Sequence, residues 1–315
     1  MKLIDLHCDT AYKMYVSKDE EISLEKNNLK VSVEKLLKVD SLAQFFAIFY
    51  ELENVSYDYN KLYQKYMEIL QRIKLEIARS SDISLVSSYD EIIKNNKISG
   101  ILTIEDGGII SGDMGRLDKL YNEGIRLITL TWNHPNCIGY PSTNFIYQNI
   151  GLTEFGREVV RRLNKMGVII DVSHLSDMGF YDVVEISTKP FVASHSNSRA
   201  LCSNGRNLKD DMIKIIANKG GVIGINLYPP FLNMNGTVTL EKIVEHIKHI
   251  RNIGGIDVLS IGTDFDGFNS DEYNMPINDI GEMNKLSDYL ENVGFTYDEI
   301  EKIFYKNALR VFLQA

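Results

Sequence analysis

Residues 3–10, Leu3-Ile4-Asp5-Leu6-His7-Cys8-Asp9-Thr10, begin as an apolar run and end in a histidine and a carboxylate. So short a run reads as a buried strand, and its polar end would then sit at one rim of a sheet. Whether that rim matters depends on how other strands end. Seven further runs rich in β-branched and aromatic residues follow, at 43–50 (AQFFAIFY), 100–105 (GILTIE), 126–131 (RLITLT), 167–173 (GVIIDVS), 190–195 (PFVASH), 221–227 (GVIGINL) and 258–264 (VLSIGTD). Amphipathic segments of helical period separate most of them, such as TEFGREVVRRLNKMG and TLEKIVEHIKHIRNIGG, which close on glycines suited to helix ends. Strand then helix, repeated, is the pattern of a parallel sheet. Eight such units predict a (β/α)8 barrel of the TIM type, with an open doubly wound sheet as the alternative. Residues 10–42 read as a long first crossover, and with no Pro/Ser-rich boundary the expectation is one domain over residues 1–315.

A chain of 315 residues with 44% hydrophobic and 24% charged content has the composition of a soluble globular protein. Its formal charge of −9 disfavours nucleic acid and anionic membrane as partners, since both reward clustered Lys and Arg. No apolar leader opens the sequence and no run approaches a membrane span, so the expected compartment is the cytoplasm. Cys8, Cys137 and Cys202 lack paired spacing, which predicts reduced thiols used for packing.

The polar residues fall at the C-terminal ends of the runs. His7 and Asp9 end the first, Glu105 the third, Trp132-Asn133-His134 the fourth, His174 the fifth, His195 the sixth, Asn226 the seventh, and Asp264 and Asp266 the eighth. In a barrel those ends share the face on which active sites are built. Of the six histidines only His246 and His249 lie elsewhere, three apart on a helical segment, where a solvated face is the expectation. Any one strand-end histidine could be a buried, hydrogen-bonded imidazole. Several converging with Glu105, Asp9 and Asp264 would be a costly polar cluster unless a cation held them together. Mixed imidazole and carboxylate donors suit Zn²⁺, with Mn²⁺, Fe²⁺ and Co²⁺ as alternatives. The donor set exceeds the needs of one ion, so two divalent ions sharing a carboxylate are expected, with Glu105 as the natural bridge and Asp106 as its rival.

These motifs carry a family resemblance. From DLHCDT through TIEDGG, LTLTWNHPN, DVSH, SHSNSRALCSNGRNL and IGTDFDG, the chain resembles the membrane dipeptidase (renal dipeptidase) family of binuclear zinc peptidases over most of its length. The resemblance implies a (β/α)8 barrel, usually dimeric, with His7, Asp9 and Glu105 on one metal and Glu105, His174 and His195 on the other. It further implies Asp264 as acid/base, in preference to Asp266, and Arg206 as the grip on the substrate's terminal carboxylate, with Arg199 as a rival. Where mammalian members have a substrate-contacting histidine after LTLT, this chain has Trp132, which could serve as a substrate wall or as packing. His134 lies two positions on. If the segment stays extended, His134 points inward as a second catalytic candidate; a loop would turn it to solvent.

The expected function is hydrolysis of a dipeptide amide, with tolerance of a D-configured C-terminal residue as in the family, by a metal-bridging hydroxide and with Asp264 moving the proton. The partners expected are a dipeptide and a second copy of the chain. Two alternatives are a related barrel amidohydrolase acting on N-acyl amino acids or another small amide or ester, and a non-catalytic metal-binding protein on the same scaffold.

Overall fold

The computed structural model describes every residue except Glu20, Ser270, Asp271 and Ala315. Its strands are β1 (Leu3–Cys8), β2 (Ser41–Ile48), β3 (Ile83–Leu85), β4 (Ile98–Glu105), β5 (Ile125–Thr129), β6 (Ile169–Asp171), β7 (Ile223–Ile225) and β8 (Leu259–Ile261). They pair in parallel in the order β6-β5-β4-β2-β1-β8-β7, with β3 beside the opening residues of β4. Seven of the eight predicted runs are thus strands of this sheet.

The eighth, at 190–195, closes the barrel without a ladder of its own. Val192 bridges Asp171 of β6 and Ala193 bridges Ile223 of β7, both in parallel. Its backbone is tied on both sides, Val192 N–H donating to Ile170 O at 2.9 Å and Gly224 N–H donating to Ala193 O at 2.9 Å. Close packing explains why glycines face this stave: a Cβ on Gly224 or Gly262 would stand 1.9 or 1.8 Å from the Ser194 carbonyl oxygen. β3 was not among the predicted runs. At three residues, with burial falling from Ile83 to the exposed Leu85, it carries too little apolar signal.

The strands are covered on both faces and read as near-continuous apolar runs, as expected for a parallel sheet. One buried cluster joins Ile4, Phe45, Ile101, Leu127, Val192 and Val222 of successive staves to Phe312 of the C-terminal helix Asn307–Gln314. Each such side chain contributes roughly 1.5–3 kcal/mol of transfer free energy when fully buried. The crossover helices follow local rules. Helix Glu154–Met166 starts where Thr153 caps the N–H of Gly156, buries Val159, Val160 and Leu163 along one stripe, and stops at Gly167 with φ +69°. No helix among the described residues is long and apolar enough to cross a membrane.

Candidate active site

Glu105 is the last residue of β4, and its two carboxylate oxygens face opposite ways. Oε2 lies 3.6 Å from His7 Nε2. Oε1 lies 3.0 Å from His174 Nε2 and 3.7 Å from His195 Nε2. Asp9 Oδ2 and Asp264 Oδ1 complete the His7 side, at 3.5 and 3.9 Å from His7 Nε2. Carbonyl ties hold this side together, Asp264 N–H donating to His7 O at 3.1 Å and Asp9 N–H to Phe265 O at 2.8 Å. His174 and Asp264 both sit in the left-handed region, with φ of +69° and +61°. Non-glycine residues rarely adopt it, and such strain concentrates where a side chain must be aimed.

Three groups of donors have ligand atoms within 4.8 Å of one another: His7/Asp9/Glu105 and Glu105/His174/His195, which share Glu105, and His7/His195/Asp264, which spans the two. Whether a cation suits them can be judged from the unsatisfied atoms. Both ring nitrogens of His7 and Oδ1 of Asp9 are buried without a hydrogen-bond partner among the described residues. The Nε2 atoms of His174 and His195 face each other at 3.1 Å. His174 Nδ1 lies 3.3 Å from Asn133 Oδ1 and His195 Nδ1 lies 2.7 Å from Ser194 Oγ, so each ring can place its proton on Nδ1 and turn a lone pair inward. Two opposed lone pairs and orphaned donors beside carboxylates are what a divalent cation would satisfy. The residues fit such an ion.

The electrostatics differ across the cluster. Burial, reinforced by the charge of Asp9, pushes Glu105 up to about 7. Burial also raises Asp264 to about 6, His7 opposing the rise and Asp9 adding to it. Burial holds His174 and His195 well below the usual imidazole range. For His7 burial acts in the same sense, but the Glu105 and Asp9 carboxylates together outweigh it and raise the group.

Asp9, Glu105, His174 and Asp264 line a cavity of about 450 Å³ whose walls also include Trp132, Phe49, Tyr228 and Arg206. Arg206 is 3% exposed, and its guanidinium meets His195 O at 3.1 Å and Ser196 Oγ at 3.4 Å while Nε is left without a partner. It forms no ion pair among the described residues, and burial lowers its pKa to about 10. Arg199, the sequence rival, is fully occupied with Asp177, Gly205 O and Asn207 O. Trp132 is half-buried at 4.7 Å from the Phe49 ring.

Expectation and structure part at His134. The chain leaves the extended conformation after Thr129, so the two-residue period does not carry through to position 134. His134 instead pairs with Glu53 at 2.6 Å in the outer loops and does not line the cavity. Its neighbour Asn133 is the residue that reaches His174. Asp266 takes a supporting place, accepting from Thr10 Oγ1 at 2.6 Å and Lys30 N–H at 2.9 Å. Asp106 caps the turn after β4 through Gly108 N–H, at 2.9 Å. Asp5 accepts from Thr263 N–H, Thr263 Oγ1 and Gln44 Nε2 at 2.8–2.9 Å. His246 is fully buried instead of lying on a solvated face, its Nδ1 accepting from Ser198 N–H at 3.2 Å. Asn226, which sequence noted only as a strand-end residue, donates to Asp264 Oδ2 at 2.9 Å.

A family model described as Membrane dipeptidase (Peptidase family M19) matches residues 1–315. Dipeptidase 3 of Macaca fascicularis is 30% identical over 253 residues, covering 79% of this chain and 51% of the relative, so the chain spans about half the length of such curated relatives. An uncharacterized dipeptidase of Schizosaccharomyces pombe is 26% identical, over 98% of this chain and 79% of that protein. Among solved structures, a metallo peptidase from Rhodobacter sphaeroides liganded with a phosphinate mimic of the dipeptide L-Ala-D-Ala shares the fold, with TM-score 0.89, 21% identity and coverage of 100% of this chain and 99% of that one. The chain belongs to the membrane dipeptidase family, peptidase family M19.

Proposed function

We propose that this protein is a dipeptidase working with two divalent cations, Zn²⁺ first among them, and that it accepts a D-configured C-terminal residue. The observation that carries the reading is the placing of Arg206, a buried guanidinium without an ion-pair partner among the described residues, on the same cavity as two ligand triads joined by Glu105. A buried cation facing a cavity calls for an anion from the ligand, and a planar fork suits a carboxylate. The metallo peptidase that binds a phosphinate mimic of L-Ala-D-Ala supports the choice of substrate and of configuration.

His7, Asp9 and Glu105 would hold one ion, and Glu105, His174 and His195 the other. When bound, such ions supply Lewis acidity, bringing the pKa of water towards neutrality and polarising an amide carbonyl. Asp264 Oδ2 is tied to Asn226, which leaves Oδ1 to take a proton from the attacking water and return it to the leaving amine. Arg206 receives the terminal carboxylate, and Trp132, Phe49 and Tyr228 wall the cavity against bulk water.

A panel of dipeptides of both configurations, each as the free acid and as the C-terminal amide, together with N-acyl amino acids, tests this with Zn²⁺ supplied. Hydrolysis confined to the free acids is expected. Equal turnover of amides and N-acyl substrates would move the protein to the wider group of barrel amidohydrolases.

A further inference from the structure

Asp171 closes β6, fully buried, and takes no part in either ligand triad. Its oxygens receive four donors. Oδ1 accepts the N–H groups of Ser173 and Ser194, each at 2.9 Å. Oδ2 accepts the hydroxyls of Thr129 and Ser194, each at 2.6 Å. Four donors fill the lone-pair sites of a carboxylate, so Asp171 acts only as an acceptor. The single hydroxyl proton of Ser194 is therefore committed to Asp171. Its oxygen also lies 2.7 Å from His195 Nδ1, and there it can only accept. Ser173 Oγ, at 3.4 Å from Ser194 Oγ, does not compete for that proton, because it too can donate.

We infer that Asp171 and Ser194 are positioning residues that fix the proton of His195 on Nδ1 and thereby leave the Nε2 lone pair free to face the candidate ion site that it would share with Glu105 and His174. Nε2 is the nitrogen that lies 3.7 Å from Glu105 Oε1 and 3.1 Å from His174 Nε2. A neutral imidazole with the other proton placement would present an N–H to the ion site and could not ligate. The backbone supports the relay, since Gly224 and Gly262 admit the Ser194 carbonyl where a Cβ would collide with it. The inference deepens the metal-site reading proposed above and rests on it for what the lone pair is for.

Asp171→Asn tests it with almost no change of shape. If Oδ1 keeps its two backbone donors, the new amide N–H₂ donates to Ser194 Oγ. The serine proton then turns to His195 Nδ1 and the imidazole proton moves to Nε2. Nitrogen NMR of the full chain, ¹⁵N-labelled at histidine and with His195 identified by the signals lost in His195→Gln, reads the tautomer directly. The wild-type, metal-free protein is expected to show Nδ1–H and Asp171→Asn to show Nε2–H. Calorimetric titration with Zn²⁺ should show one of two binding events weakened roughly 10–100-fold, the other unchanged. Ser194→Ala should weaken the same event and Ser194→Thr restore it. Thr129→Val, which removes a donor to Asp171 without touching the relay, should leave the tautomer as it is. Nε2–H in the wild type, or an unaltered tautomer in Asp171→Asn, overturns the inference, and the wild-type measurement decides even if the variant does not fold. The expected tautomers in a protein that binds no ion would uphold the relay and remove the metal reading instead.

Discussion

The two halves of the site share Glu105 and are otherwise built on different principles. On the His7 side, carboxylates dominate: Asp9 and Glu105 stand within 3.6 Å of the imidazole and Asp264 at 3.9 Å, while neither ring nitrogen has a hydrogen-bond partner among the described residues. On the other side imidazoles dominate, and each Nδ1 meets an oxygen, of Asn133 or of Ser194. The consequence shows in their protonation, which is raised at His7 and lowered at His174 and His195. One half would gather a cation by charge, the other by lone pairs whose direction is already set.

The largest effect should come from the group common to both halves. Glu105→Gln is expected to lower kcat/KM for dipeptides by about 10⁴-fold, because the Lewis-acid contribution of both ions is put at risk together. Ion content measured beside it should fall on both sides, and loss of a single ion would mean that the halves are independent. Next comes Asp264→Asn, which should reduce kcat by roughly 10³-fold with ion content unchanged. An unaltered kcat would pass the proton-transfer role to another group. Arg206→Ala, outside both halves, should raise KM for free dipeptides by about 10²-fold while changing kcat far less.

Acid should also act on the fold through His246, whose ring meets Ser198 N–H and Leu232 O. Burial lowers His246 to about 4 despite its bond to Leu232 O, which opposes the shift. The unfolded chain therefore takes up this proton near pH 6.5 while the folded one resists it to about 4, so stability is lost as pH falls through that window. The contribution at stake is about 3 kcal/mol. Urea unfolding from pH 7 to 4 should show a flatter pH dependence in His246→Asn than in the wild type; equal slopes would remove His246 from the account. The smallest effect is expected of His134→Ala. An exposed pair with Glu53 is worth about 0–1 kcal/mol, so kcat/KM should change by less than about fivefold.

Much of this was legible in the sequence because buried parallel strands are written as continuous apolar runs, and their polar ends mark the rim. His7, Asp9, Glu105, His174, His195 and Asp264 could all be placed in this way. His134 could not, because the period of two holds only while the strand lasts, and β5 ends at Thr129. Asn133 was visible only as a neighbour, since nothing in a lone asparagine says which imidazole it will meet. Asp171 and Ser194 left a clearer trace, as polar residues inside or just ahead of the strand-end histidines in GVIIDVSH and PFVASH. Their partnership spans two staves, however, and only barrel closure brings them together.

The proposed dipeptidase reading requires two divalent cations per chain, with Glu105 within reach of both ligand sets. The most direct test is to strip the protein with chelator, titrate it with Zn²⁺, and follow bound ion by elemental analysis together with dipeptide hydrolysis. Negligible turnover without metal and full activity at two ions per chain are expected, whereas Glu105→Gln should reach neither two bound ions nor full activity. Full turnover in the stripped protein, or saturation of activity at a single ion, would contradict that reading.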